Sequence, residues 1–160
     1  MRRAFILAAI LAVVAVGSVQ AKANVPKVNG TYTFNYTDDP ANDRLWSLNV
    51  QGTDPVKGTW SSVRLGVHLS GPVTCLRVSG PDAWLAGPIT SASQEFPSLA
   101  VFAWVHDGGT PGRDGDLAFG WYADLPEGLA QMEALCEAMS SDLPGDAGPF
   151  AVLEGNVHVH

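Results

Sequence analysis

Alternation of apolar and polar residues is the dominant pattern along this chain. A period of two places every second side chain on the same face of a β-strand, so each alternating run predicts a strand with one face in a core. Segments rich in Gly, Pro, Asp and Asn separate the runs and predict turns. The alternating runs are 31–37, 46–51, 63–70, 73–78 and 83–89. The Ser79-Gly80-Pro81-Asp82 turn predicts that the last two form a hairpin.

Two later segments have different patterns. Leu99–Val105 is apolar on both faces, which is typical of a strand with a second layer packed outside the sheet. Glu127–Met139 follows Pro126, a residue suited to a first helical turn, and carries one apolar stripe formed by Leu129, Met132, Cys136 and Met139. We therefore expect a helix over Glu127–Met139 that covers the two-sided strand.

These elements predict the fold class. With a strand over 117–121 and a last strand over Phe150–His160, the chain has about eight strands and one short helix. This content predicts an all-β antiparallel barrel with the helix packed outside, and a β-sandwich is the alternative. The last strand pairing back to the first would close the barrel and remove its exposed edges.

The first 23 residues predict a secretory signal peptide. Arg2 and Arg3 precede the apolar run Ala4–Val16, and small residues at Ala21 and Ala23 suit a cleavage site. We therefore expect a single β-domain over 24–160, secreted to an extracellular or periplasmic location. No later apolar segment reaches the roughly 18 residues that a spanning helix needs, so we expect no membrane insertion after cleavage.

The net negative charge of the chain limits the classes of partner that it can bind. The full chain has 9 basic and 16 acidic residues, and loss of residues 1–23 removes three basic residues and no acidic one. Such an acidic protein repels phosphate backbones and anionic lipids, so nucleic acid is disfavoured as a partner. An extracellular protein or a small molecule is the expected partner.

The two cysteines predict a disulfide. Cys75 lies in a predicted strand and Cys136 on the helical stripe, and an oxidising compartment favours their pairing. The bond would join the helix to the sheet and stabilise the fold by roughly 3–4 kcal/mol on chain-entropy reasoning. Two buried free thiols are the alternative. Neither cysteine has a Cys or His neighbour at zinc-ligand spacing.

Candidate binding residues are few. Asp107, Asp114 and Asp116 lie in a glycine-rich loop and could offer oxygen ligands to calcium, although such residues also form ordinary hairpin loops. Apart from this calcium ion, no cofactor is expected. Among the five tryptophans, Trp84 and Trp60 are the candidate ligand-binding aromatic residues, with Trp84 at an exposed position or a pocket rim. Core filling is the alternative for tryptophans on apolar strand faces.

Catalytic motifs are missing from the sequence. The chain has no Gly-x-Ser-x-Gly, no His-Glu-x-x-His and no phosphate-binding glycine loop ending in Lys-Ser or Lys-Thr. We therefore expect no enzymatic activity. A secreted hydrolase with paired carboxylates is an unfavoured alternative, because such pairs meet only in the folded chain.

Two stretches carry a family resemblance. They are Val73–Gly80, running on through Gly87-Pro88-Ile89, and the terminal Glu154–His160. Together they resemble an uncharacterised family of secreted bacterial β-rich proteins, similar to the domain that follows choice-of-anchor modules in exported proteins. The resemblance covers roughly Gly71–His160. It implies a β-rich fold and a secreted bacterial origin, and it implies no activity.

The sequence therefore predicts a non-catalytic secreted structural or interaction module. The alternative is a β-barrel that binds a small apolar or sugar ligand. The two hypotheses differ in the barrel interior, because a carrier needs an unfilled cavity and a structural module has its tryptophans packed against one another.

Overall fold

The computed structural model describes residues 25–37, 39–95, 98–109, 115–123, 126–140 and 149–160. The expected signal peptide, residues 1–23, lies outside these ranges, and so does Asp114. Within the ranges, no helix is both long enough and apolar enough to cross a membrane.

Ten strands, one α-helix and one short 3-10 helix are defined in the described part of the chain. The strands are β1 Lys27–Asn35, β2 Asp43–Gln51, β3 Lys57–Arg64, β4 Val67–Pro72, β5 Cys75–Ser79, β6 Asp82–Pro88, β7 Ser91–Ala92, β8 Ala100–His106, β9 Leu117–Ala123 and β10 Phe150–Val159. The α-helix α1 is Pro126–Glu137, and the 3-10 helix is Pro40–Asn42.

The strands form one curled antiparallel sheet in the order β5-β6-β8-β9-β10-β1-β2-β3-β4-β7. Strand β10 pairs with β1 from Val28–Val159 to Phe34–Val152. The expected pairing of the last strand with the first is therefore confirmed. Each strand contributes alternate side chains to the inside of the curl, as the period-two pattern requires.

The ten strands correspond to eight longer ones. Leu69 pairs with Ala92 in the β4–β7 ladder and Cys75 with Ala86 in the β5–β6 ladder, and the residue numbers of each pair add up to the same value. The register is thus continuous, and β4–β5 and β6–β7 are the two arms of one long bent hairpin. This hairpin joins the two ends of the sheet, so the predicted all-β, barrel-like fold is confirmed.

Close backbone contact at the bend explains why each arm is divided into two strands. A Cβ atom on Gly71 would lie 1.9 Å from the carbonyl oxygen of Pro88, and one on Gly87 would lie 2.1 Å from that of Pro72. Only glycine allows this approach. The bend interrupts the ladder without changing its register.

One sequence prediction is wrong in this region. The alternating run 63–70 is two strands, because Leu65 and Gly66 form a two-residue turn between β3 and β4 with φ values of 49° and 77°. Positive φ at both positions is the usual geometry of a tight hairpin turn. Leucine is uncommon in that conformation, so its presence hid the turn. Because of the turn, the apolar residues of this run do not all share one face of the sheet. Val63 pairs with His68 on one face, whereas buried Leu69 pairs with Ser62 on the other.

Two apolar clusters lie on opposite sides of the β5-β6-β8-β9 part of the sheet. Val101, Ala103 and Val105 of β8 belong to the cluster inside the curl, whereas Ala100 and Phe102 belong to the cluster beneath the helix. The prediction of a strand covered on both sides is therefore confirmed. The helix ends at Glu137, two residues before the predicted end, and Met139 is exposed.

The helix is attached to the sheet at several points. The sulfur atoms of Cys75 and Cys136 are 2.02 Å apart, so a disulfide bond joins β5 to α1. Thr74 Oγ1 donates a hydrogen bond to Glu133 at 2.6 Å, and Arg77 forms an ion pair with Glu137. These contacts fix the helix against the outer face of the sheet.

Candidate functional site

The two candidate ligand-binding tryptophans are buried. Trp84 is 7% exposed, lies in the cluster beneath the helix and donates its indole N–H to the carbonyl oxygen of Ser140 at 3.0 Å. The expectation of an exposed Trp84 at a pocket rim is therefore wrong. It fails because the chain after the helix covers this position. Trp60 is buried inside the curl and stacks on Trp46 with 5.8 Å between ring centroids.

The aspartates of the glycine-rich loop have structural partners. Asp116 is 1% exposed and accepts hydrogen bonds from the backbone N–H groups of Gly108 and Val157 at 2.9 and 3.0 Å. Asp107 accepts from Gly109 and Val159 at 2.8 and 3.0 Å. Both carboxylates thus satisfy backbone donors of β10 where β9 no longer pairs with it. Asp114 lies outside the described residues, so the full calcium set is not tested.

Two histidines lie close together at the end of β10. His158 and His160 stack with 6.1 Å between ring centroids at the end of β10. Among the described residues, no group of three or more His, Cys, Asp and Glu side chains could hold a metal ion. The two stacked imidazoles therefore have no third ligand within this part of the chain.

A polar and aromatic cluster, which we call the mouth cluster, lies at one end of the barrel. It consists of Tyr36, Arg44, Ser62, Arg64 and Tyr122. The antiparallel sheet brings the end of β1, the start of β2, the end of β3 and the end of β9 to this same end. No local sequence pattern predicts this cluster, because its members are far apart along the chain.

Arg44 is held between two tyrosine rings. Its guanidinium carbon is 4.1 Å from the ring centroid of Tyr36 and 5.4 Å from that of Tyr122. Such contacts favour a cation over an aromatic face. The Tyr36 hydroxyl donates to the carbonyl oxygen of Gly120, whose N–H donates back to it at 3.2 Å. These bonds attach the end of β1 to β9.

Arg64 and Ser62 complete the mouth cluster. Arg64 Nη2 donates to Asn42 Oδ1 at 2.8 Å, and the hydroxyls of Ser62 and Tyr122 are 2.8 Å apart. Among the described residues, the only ion pairs are Arg77–Glu137 and His106–Asp82. Neither Arg44 nor Arg64 therefore has a carboxylate partner in this part of the chain.

Burial shifts the pKa values of both tyrosines in the mouth cluster upward. Burial raises the pKa of Tyr36 to about 12, against the opposing charge of Arg44. Burial also raises the pKa of Tyr122, although its hydrogen bond with Ser62 and the charges of Arg44 and Arg64 act in the opposite direction. The two phenols remain hydrogen-bonding groups without charge at neutral pH. The guanidinium groups therefore supply the only formal charges within the cluster.

Unpaired donors accompany these charges. The buried Nε atoms of Arg44 and Arg64 and the indole nitrogens of Trp46 and Trp60 have no hydrogen-bond partner among the described residues. All four residues lie on β2 and β3. A buried donor without an acceptor is costly, so donors exceed acceptors along these two strands.

A cavity of about 260 Å³ opens beside the mouth cluster. It is formed by the β3–β4 hairpin and the end of β9. Its lining residues are Ser62, Arg64, Leu65, Val67, Leu69 and Tyr122. One side of the cavity therefore carries a guanidinium and two hydroxyls, and the other side is aliphatic.

A second feature lies on the outer face of the sheet. A shallow groove of about 560 Å³ runs across β10, β1, β2 and β3, and we call it the outer groove. Leu45 and Leu153 line it and are 42% and 40% exposed. Leu65, at the β3–β4 turn, lines both the outer groove and the mouth cavity.

Fold and sites together define an all-β, barrel-like protein with a helix fixed outside the sheet. No protein-family model, curated protein or solved structure matches this chain. The resemblance to secreted bacterial β-rich proteins therefore stays a prediction.

Proposed function

We propose that this protein is a non-catalytic secreted module with a structural or interaction role. The observation that carries the proposal is the filled interior of the barrel. Trp46 and Trp60 are buried there and stack on each other, and Tyr122 stacks on Trp46 with 6.1 Å between ring centroids. A carrier of an apolar ligand would need this space for its cargo.

The outer groove supports an interaction role. Leu45 and Leu153 are large aliphatic side chains that remain open to solvent on adjoining parts of one sheet face. Exposed apolar groups that lie together mark surfaces on which another protein can bury area. The disulfide pair also fits an extracellular or periplasmic setting.

A neutral apolar dye tests the filled interior. The proposal expects that N-phenyl-1-naphthylamine, titrated into the purified protein, gives no saturable rise in fluorescence. Native mass spectrometry of the same sample is expected to show no bound neutral apolar molecule. Saturable dye binding, or a co-purified apolar molecule released on denaturation, would instead support the carrier hypothesis.

Site-specific photo-crosslinking tests the interaction role. A benzophenone amino acid would replace Leu45 in the outer groove and, as the matched control, Leu99, which has a similar exposure of 45% but lies just before β8. In cells that produce the protein, we expect discrete crosslinked products from position 45 and none from position 99. Equal products from both positions, or none from either, would contradict the proposal.

A further inference from the structure

The mouth cavity has a feature that the interaction role does not use. The chain beyond residue 23 has only six basic residues, and two of them, Arg44 and Arg64, meet in the mouth cluster. Both contribute to the electrostatic environment of Tyr36 and Tyr122, so the two guanidiniums share one neighbourhood. A local pair of cations without a carboxylate partner among the described residues is unusual in so acidic a protein.

The donors around the cavity lack a matching set of acceptors. Arg64 Nη2 donates a hydrogen bond to Asn42, whereas Arg64 Nε is buried and has no hydrogen-bond partner in the described part of the chain. Arg44 Nε is in the same state. An anion at this position would lower the cost of leaving cationic donors unpaired.

The remaining wall of the cavity limits what the anion can be. Leu65, Val67 and Leu69 provide an aliphatic surface opposite the polar groups. The volume of about 260 Å³ is just under the roughly 300 Å³ at which pockets for drug-sized ligands begin. A ligand that fits this cavity is therefore small and has an apolar part. The acidic surface of the protein also opposes a dianion more strongly than a monoanion.

We propose that the mouth cavity is a binding site for a small monocarboxylate with an aliphatic body. Its carboxylate accepts hydrogen bonds from the Arg64 guanidinium and from the Ser62–Tyr122 hydroxyl pair, and the Arg44 charge adds a favourable field. Its aliphatic part contacts Leu65, Val67 and Leu69. This site goes beyond the proposed interaction role, and it shares only Leu65 with the outer groove.

Three probes test the proposal on the unmodified protein. Hexanoate, hexan-1-ol and inorganic phosphate would be titrated separately into the uniformly ¹⁵N-labelled protein, followed by two-dimensional NMR. We expect saturable shifts with hexanoate, concentrated at residues 62–69 and 120–122. Charge-assisted hydrogen bonds predict that hexanol binds about tenfold or more weakly. Phosphate should give no saturable shift in this region.

Arg64→Gln tests the polar contact, and Lys57→Gln is its matched control. Lys57 lies on the same strand at the opposite end of the barrel, about 20 Å away along β3, and its loss changes the net charge equally. We expect Arg64→Gln to weaken hexanoate binding about tenfold or more and Lys57→Gln to change it less than twofold. Higher salt should also weaken binding to the unmodified protein.

Several outcomes would overturn the proposal. Equal affinity for hexanoate and hexanol would make the site a simple apolar pocket, and equal affinity for phosphate would make it an unspecific cation patch. Equal effects of the two Gln substitutions would attribute binding to net charge. An absence of saturable shifts with hexanoate would exclude the site. The probe series decides the question even if Arg64→Gln does not fold.

Discussion

The polar groups on the helix side of the sheet pair with one another, whereas several donors at the mouth of the barrel have no partner among the described residues. Beneath the helix, Trp84 donates to Ser140, Thr74 donates to Glu133 and Arg77 pairs with Glu137. At the mouth, Arg44 faces the rings of two tyrosines and Arg64 donates to Asn42, and a buried Nε donor on each arginine lacks a partner among the described residues.

The contacts on the helix side contribute to stability, whereas the mouth of the barrel has groups that can bind a ligand. A covalent bond and matched hydrogen bonds hold the helix in one position, which leaves few groups on that side for a ligand. The mouth has a cavity, two cations and unmatched donors. A fold that supports binding places such groups on a rigid frame, and the filled barrel supplies that frame.

The largest expected effect is the loss of a barrel tryptophan. Trp46→Ala removes a buried indole that stacks on Trp60, and large-to-small changes of this type cost about 3–5 kcal/mol of unfolding free energy. Urea unfolding measures the change. Trp121→Ala is the matched control, because Trp121 is 38% exposed and should cost far less. Similar losses for both variants would contradict the account of a tightly filled interior.

The disulfide should have the next largest effect. Cys75 and Cys136 are 61 residues apart, so their bond closes a long loop and should contribute roughly 3–4 kcal/mol on chain-entropy reasoning. We expect the double variant Cys75→Ala/Cys136→Ala to unfold at a correspondingly lower urea concentration. Reductant should lower the stability of the unmodified protein and leave the variant unchanged. An unmodified protein that is indifferent to reductant would contradict the prediction.

Features that depend on local spacing could be predicted from the sequence, whereas features that depend on distant contacts could not. Strand periodicity, the two-sided β8 and the strand-to-helix position of the cysteine pair all depend on local spacing, so they were readable along the chain. The Leu65–Gly66 turn was missed because leucine occupies a conformation that usually selects Gly or Asn. The burial of Trp84 was also missed, since it depends on Ser140, 56 residues away.

The mouth cluster could not be recognised in advance. Its members come from β2, β3, β9 and the residue that follows β1, and no motif joins them in sequence. The one available signal was the scarcity of basic residues, because Arg44 and Arg64 are two of six beyond residue 23. The scarcity of basic residues indicates that each of them has a role. It does not predict that Arg44 and Arg64 lie close together in the fold.

A smaller effect is expected for the hydrogen bond beneath the helix. Trp84→Phe keeps an aromatic ring but removes the indole N–H that donates to Ser140, which should cost about 1 kcal/mol plus a contribution from the smaller ring. Trp104→Phe is the control, because Trp104 packs in the same cluster and its ring pairs with His106. Urea unfolding measures both. A larger cost for the Trp104 variant would show that this hydrogen bond does little to hold the chain after the helix.

The smallest effect at neutral pH concerns the tyrosines, and it appears only in alkali. Burial raises the pKa of Tyr36 to about 12 and raises those of Tyr32 and Tyr122 above the ordinary value of 10.0. For groups with a raised pKa in the folded state, the contribution to stability is full below pH 10 and is lost as the pH rises toward 12.

Phenolate absorbance measured beside tryptophan near-ultraviolet circular dichroism tests this expectation. We expect the phenolate signal to stay low at pH 10 and to rise only together with unfolding, because all three tyrosines of the chain are shielded in the barrel. Tyr36→Phe should remove one third of the final signal and make the alkaline loss of stability less steep. A phenolate signal that develops near pH 10 in the folded protein would mean that solvent reaches these tyrosines freely, and it would contradict their burial in a filled barrel.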